Sequence, residues 1–331
     1  MRATTPKEFD FIRKDGKDAS GVEQTSSRFE SMNEFLEHCE ARVPAEPGGA
    51  TEASARLKPA HGCYLCKPDK YKYGHPTTGE DDWYSSGTFE EALQQARDGS
   101  DYGIVAMKRY LATLSTRLGE RIRQPDYTMG VLPRGGINMG SYISGVPSIY
   151  VTAKENWATA PSQDTALLYV HICFSCGVDS DVIARRGAVA LALASLLEQA
   201  GKPTRIVLCG GIQATRAGAM NGHSLYVTFK DYGQAIHLGR ASFALCNSGM
   251  FRRLAFAHME RFPEGMRQKF GVRDCGGYGS PMNVREIPEE AIVFHHGSWN
   301  EQWATPEGAK QYVEDLLRKR GVEFIEDGSV T

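Results

Sequence analysis

Residues 61–75 bring together His61, Cys63, Cys66 and His75, with the two cysteines forming a CxxC pair. Thiolates and imidazoles are the ligands of tetrahedral structural zinc. This set could therefore hold a structural zinc and order a stretch otherwise rich in glycine and proline. The histidines do not fall at a familiar zinc-finger spacing, and the plainer reading is a cysteine pair with two exposed histidines in a loop. A thioredoxin-like role needs the first cysteine at a helix N-terminus. Pro68, just after Cys66, does not fit such a helix start.

A second group runs from Cys173 to Asp181, CFSCGVDSD, and holds a thiol at Cys173, a hydroxyl at Ser175 and carboxylates at Asp179 and Asp181. Those oxygens could bind a cation or a ligand. The plainer reading places both aspartates at the positive end of the following helix, which they stabilise, and Cys173 in the core as a small apolar group. Asp231, in Lys230-Asp231-Tyr232-Gly233, ends a strand and could face the same cleft or simply close a turn. The basic pairs Arg185-Arg186 and Arg252-Arg253, with Arg216, Lys230 and Arg240, could line a phosphate-binding face. The alternative for them is a solvated helix surface or internal ion pairs. His295 and His296, with Trp299 and Trp303, follow the last predicted strand, where a histidine could act as a base or the cluster could close the core. The single Arg134-Gly135-Gly136 triplet carries little weight for RNA. Gly210-Gly211 belongs to no GxxxxGK[ST] or GxGxxG motif, which argues against nucleoside triphosphate and dinucleotide sites.

The elements that must position these groups are clearest in the second half. The run 166–174 is continuously apolar and predicts a buried strand. Residues 179–201 predict a long helix with aspartate at its start and Gly201 at its end. Strands follow at 204–212, 223–231 and 291–297. Residues 239–262 predict one or two helices broken near Asn247–Gly249, and 305–325 an amphipathic helix with Pro306 in its first turn. This alternation predicts an α/β fold, a parallel or mixed sheet with helices on both faces. Earlier in the chain, Ser26 or Ser27 could cap a helix from Phe29 to Cys39, and Thr88 with Glu91 forms a capping box for a helix at 89–98. The expected organisation is a polar, mobile arm at 1–27, a helical and irregular region at 28–160 with an insertion at 43–82, and an α/β domain at 161–331.

A hydroxyl- and acid-bearing loop between a buried strand and a long helix resembles the von Willebrand A fold. That family places an Asp-x-Ser-x-Ser motif there to hold Mg²⁺. Here the leading Asp position is Cys173, the first serine is kept as Ser175, and the second is replaced by Gly177. A thiol is a poor ligand for a hard cation. The resemblance thus implies a three-layer, Rossmann-like sandwich without its metal site. The stretches RRGAVALALASLLEQAGK, FKDYGQAIHLGRASFALCNSGMFRRLAFAHMERFPEG and GYGSP, with TFEEALQQARDG, also resemble a family of bacteriophage proteins known as a domain of unknown function. That resemblance runs from about residue 28 to 325 and implies phage origin and action in the host cytoplasm; it implies no activity.

The formal charge of −2 over 331 residues argues against a generally basic nucleic-acid binder. No apolar run reaches the length of a membrane span, and the N-terminus lacks the apolar stretch of a secretory signal. Eight cysteines in such a chain read as thiols, with one potential metal pair. The function expected first is therefore a non-enzymatic protein that binds a host or phage protein. The alternatives are nucleic-acid association in phage genome processing, and an enzyme whose site would need the 173–181 loop, Asp231 and His295 or His296 to converge.

Overall fold

The fold is described from a computed structural model, which covers residues 12–17, 23–40, 86, 89–101, 104–105, 108, 127–130, 136–137, 139–143, 150–153, 165–175, 178–199, 201–216, 219–260, 262, 265–266, 280–295 and 305–319. The zinc candidates His61, Cys63, Cys66 and His75 lie outside these residues, as do Cys176, Gly177, His296, Trp299 and Trp303.

A seven-stranded mixed sheet organises the chain. Its strands are β1 (Ile12–Lys17), β2 (Glu23–Phe29), β6 (Ala166–His171), β7 (Thr204–Arg216), β8 (Ala219–Lys230), β9 (Ser280–Met282) and β10 (Ile292–Phe294). The spatial order is β1-β2-β8-β7-β6-β10, with β9 paired to the far part of β7. β6 runs parallel to both β7 and β10. β7 and β8 form a long antiparallel hairpin, β2 runs parallel to β8, and β1 returns antiparallel on β2. A separate three-stranded sheet joins β3 (Tyr127–Gly130), β4 (Gly136–Ile137) and β5 (Tyr150–Ala153) in the order β3-β5-β4.

The helices are α1 (Met32–Glu40), α2 (Phe89–Asp98), α3 (Met139–Ile143), α4 (Ser180–Gln199), α5 (Leu238–Cys246), a π-helix (Met250–Ala255), α6 (Phe256–Glu260) and α7 (Pro306–Lys319). All of them contribute to one apolar cluster with Leu168, Val170, Leu208, Leu225 and Val227 from one face of the sheet. The opposite face carries Tyr169, Val207, Cys209 and Tyr226, and it is covered by Val284, Ile287 and Ala291 from the connection between β9 and β10. Among the described residues the architecture is thus a sheet with helices on one face, not the helix–sheet–helix sandwich expected from the alternation. Both faces of β6 are nonetheless buried, which is why its sequence is apolar without alternation.

Residues 12–17 and 23–29 differ most from expectation. Their polar composition suggests a mobile arm, yet they form two strands at the sheet edge. The inward hydroxyls Thr25 and Ser27 are hydrogen-bonded inside the protein, so polar residues are tolerated in a buried strand. Because Ser26 and Ser27 belong to β2, the cap of α1 falls to Ser31, whose Oγ accepts from the Glu34 amide at 3.1 Å.

α4 is apolar around its circumference from Ala188 to Leu197 because the sheet, α5 and α7 surround it. It ends in a Schellman motif. Gly201 adopts φ +78°, its amide donates to the Glu198 carbonyl at 3.0 Å, and the Lys202 amide donates to the Leu197 carbonyl at 2.9 Å. α4 crosses α5 at Gly187, where a β-carbon would lie 2.5 Å from both the Leu245 carbonyl oxygen and Cys246 Sγ. The backbone atoms there cannot rotate away, so Gly187→Ala must separate the helices. The expected loss is about 1–3 kcal/mol, read from the urea midpoint; an unchanged midpoint would refute the close crossing.

Candidate functional site

In open α/β sheets, ligands bind beyond the carboxyl ends of parallel strands, at the point where the connections diverge to either side. Here the neighbouring parallel strands β6 and β10 both lead into helices of the same face, α4 and α7, so the connections do not diverge, and the place to inspect is the shared carboxyl edge of the two strands. The notch between them is filled from within. Arg186, in the second turn of α4 and 3 % exposed, donates from one terminal nitrogen to the His171 carbonyl at 3.0 Å and from the other to the Phe294 carbonyl. Its guanidinium also lies 5.2 Å from the centre of the Phe174 ring. Burial pulls the Arg186 pKa down to about 10, which still leaves it charged at neutral pH.

The loop after β6 wraps this plug. Cys173 is buried, and burial pushes its thiol up to about 12. Arg252 donates to the Phe174 carbonyl at 2.6 Å, and its guanidinium lies 5.3 Å from the centre of the Phe256 ring. Phe174, Val178 and Ile183 form a small apolar cluster that fixes the loop to α4. Ser175, Asp179 and Asp181 are exposed. The Asp179 carbonyl accepts the first amides of α4, from Val182 at 3.0 Å and Ile183 at 3.2 Å, and Arg185 reaches the Asp181 carbonyl at 3.2 Å. His295, directly after β10, is exposed at the same end of the sheet.

Asp231 is not part of this edge. It follows β8, which runs opposite to β6, so it lies at the amino end of the parallel strands. There it accepts from the Tyr232 amide at 2.8 Å and faces Arg205 Nε at 3.6 Å. The set formed by the 173–181 loop, Asp231 and His295 therefore does not converge on one cleft. Nor do the arginine pairs form one exposed face. Arg253 is buried and donates twice to the Ser86 carbonyl, at 3.0 and 2.6 Å, while Arg185 is partly exposed and Arg186 is internal.

Cys39, Cys173, Cys209 and Cys246 are buried cysteines outside any disulfide. Burial raises the pKa of Cys173, Cys209 and Cys246, so their reactive thiolate is scarce at neutral pH. We expect these three to resist iodoacetamide at pH 7.5 until denaturant is added, as read by peptide mass mapping. Rapid native labelling of Cys173 would contradict its burial. Among the described residues no group of three or more His, Cys, Asp or Glu is placed to hold a metal ion, and no helix is long and apolar enough to cross a membrane.

Sequence reasoning missed a different constellation, inside the helical face near β2. Thr25 Oγ1 donates to the Gly222 carbonyl at 3.4 Å and lies 2.9 Å from His223 Nδ1. His223 Nε2 lies 3.2 Å from Ser27 Oγ, which lies 3.0 Å from His258 Nε2. His258 Nδ1 in turn lies 3.0 Å from Nε2 of the half-buried His38. Two opposite assignments of the protons are self-consistent; in the one that keeps the Thr25 bond to Gly222, Thr25 accepts from His223 Nδ1–H. The neutral His223 ring then accepts from Ser27 at Nε2, Ser27 accepts from His258 Nε2–H, and His258 Nδ1 accepts from His38. Phe29, Phe35 and Phe262 pack around the rings. His223 and Ser27 are both 0 % exposed, and burial pushes the His223 pKa from 6.5 down to about 3. For a histidine lowered in this way the fold favours the neutral ring. Its contribution is complete above about pH 6.5 and is lost as pH falls from there toward 3. The inward alternation of His223 with Leu225 and Val227, and the spacing of Leu254, His258 and Phe262, were the available sequence signals.

A family model described as a domain of unknown function (DUF7192) matches residues 12–323. The chain belongs to this family. The match begins at the first residue of β1, so the DUF7192 domain includes the N-terminal hairpin together with the α/β core. No curated protein and no solved structure gives a significant match.

Proposed function

We propose that this DUF7192 domain is a non-enzymatic protein-binding or adaptor protein that engages a host or phage protein in the infected cell. The observation that carries the reading is Arg186. Its guanidinium caps the carboxyl ends of β6 and β10, the end of the sheet at which α/β folds take small ligands. The surface left at that end is an outer one, formed by Ser175, Asp179, Asp181 and His295. A buried strand, an acid- and hydroxyl-bearing loop and a long helix are features in common with the von Willebrand A fold, whereas the helices on one face of the sheet depart from its three layers. The buried thiol of Cys173 supports a loop that does not depend on a hard cation.

Affinity capture from phage-infected cells tests this, comparing the natural chain with a Ser175→Ala, Asp179→Asn, Asp181→Asn variant. The expected result is one stoichiometric protein retained by the natural chain and lost by the variant. Recovery of the same proteins by both, or of none, would overturn the reading. Gel shift of DNA at micromolar protein and low salt, where electrostatic binding is strongest, would replace it with a nucleic-acid function.

A further inference from the structure

The chain Thr25–His223–Ser27–His258–His38 draws its members from β2, β8, α6 and α1, and each link depends on a ring nitrogen being either donor or acceptor, not both. We propose that it is a proton-operated latch: with its histidines neutral it holds β2 and α1 against β8 and α6, and in acid it releases the N-terminal segment from the sheet.

The geometry makes each ring sensitive to a second proton. On His258, that proton turns Nδ1 into a donor that confronts the Nε2–H of His38. On His223, it turns Nε2 into a donor and leaves the Ser27 hydroxyl proton without its acceptor. Aromatic edges from Phe29, Phe35 and Phe262 surround the rings. Among the described residues, the titratable groups shown against the network are its own histidines and, next to His38 on α1, the Cys39 thiol, which donates to the Leu254 carbonyl at 3.4 Å. From β2 the network takes the hydroxyls of Thr25 and Ser27, while Arg28 lies over the Tyr226 ring on the opposite face of the sheet. His38 is partly exposed and gives the proton its entry.

What the latch holds is peripheral. β2 pairs with the core through β8, over Glu23–Phe29 against Asn221–Val227, and has only β1 on its other side. Beyond the latch, α1 is tied to α2 by the exposed pair Arg97–Glu40, with Arg97 Nη1 donating at 3.2 Å. Each histidine that takes up a proton on opening shifts the opening equilibrium by up to about tenfold per pH unit below its ordinary pKa.

Hydrogen exchange of the full chain at pH 7.5 and 5.0, corrected for intrinsic rates, tests the latch. The expected result is at least about tenfold faster exchange at 23–29 and 221–227 in acid, with 166–171 and 204–210 unchanged. In His223→Gln, which keeps an acceptor for Ser27 and cannot charge, that pH dependence should shrink. Equal protection at both pH values, a uniform loss over all strands, or an undiminished pH response in His223→Gln each overturns the proposal. Should that variant not fold, ring ¹⁵N spectra of the natural chain at pH 6.5 decide. Neutral His223 protonated at Nδ1 and neutral His258 protonated at Nε2 support the latch; the opposite tautomers or an imidazolium at either position overturn it.

Discussion

Lys230→Met should lower the unfolding free energy by about 3–5 kcal/mol, the largest single effect expected in this chain. Lys230 ends β8 and is 2 % exposed. Its ammonium pairs with Glu198 near the end of α4 and donates to the Thr204 carbonyl at 2.7 Å and the Asp231 carbonyl at 3.2 Å. One cation thus fastens the end of α4 to the start of β7 and the end of β8. Burial pushes the Glu198 carboxyl above its ordinary range while the Lys230 ammonium pulls it back. Removing the lysine takes away the cation but leaves the carboxyl in its buried setting, which is the expensive half of such a pair. Replacing both partners, as in Lys230→Met with Glu198→Leu, should recover most of the loss, because neither desolvated charge then remains. Urea unfolding of the single and double variants measures both. A single-variant loss under about 1 kcal/mol would place the pair among weak surface contacts.

Arg186→Met should cost about 2–4 kcal/mol and act locally on β10. The two hydrogen bonds it removes come from a charged donor, and such bonds contribute about 1.5–3 kcal/mol each. Relief of burying an arginine partly offsets that loss, and the size of the offset is indicated by the depressed Arg186 pKa. The Phe294 carbonyl would lose its donor, and β10, just three residues long, would lose a tie to β6. Exchange at 292–294 should therefore accelerate more than exchange at 204–210. Arg186→Lys should recover less than half of the loss, because one ammonium cannot reproduce the planar fork that reaches both carbonyls. A variant whose β10 exchange matches that of the natural chain would show that Arg186 fills the notch without holding it.

The elements that surround this notch were legible because their signals are local. The apolar run of β6, the length and end glycine of α4, the break at Asn247–Gly249 and the amphipathic period of α7 all depend on neighbours a few residues apart. The extent of the β7–β8 hairpin and the strands at 12–29 were not legible. β2 owes its place to β8, and its contact residues Thr25 and Ser27 lie 198 and 196 positions from His223. No local pattern reports such a partner, and polar residues in a strand suggest exposure unless the groups that satisfy them are known.

The sequence by itself determined the α/β class and, apart from β9, the series of core elements from β6 to α7, since apolar periodicity and end signals suffice for both. Only the tertiary structure decided which polar groups face inward. Arg185 and Arg186 are adjacent and chemically identical, yet one is at the surface and the other plugs the notch, because carbonyls from two strands lie on one side of α4. The three histidines of the latch carry no motif; they became a unit when four elements packed. A buried polar group is defined by the partners that satisfy it, and those partners are brought together by folding rather than by their spacing along the chain.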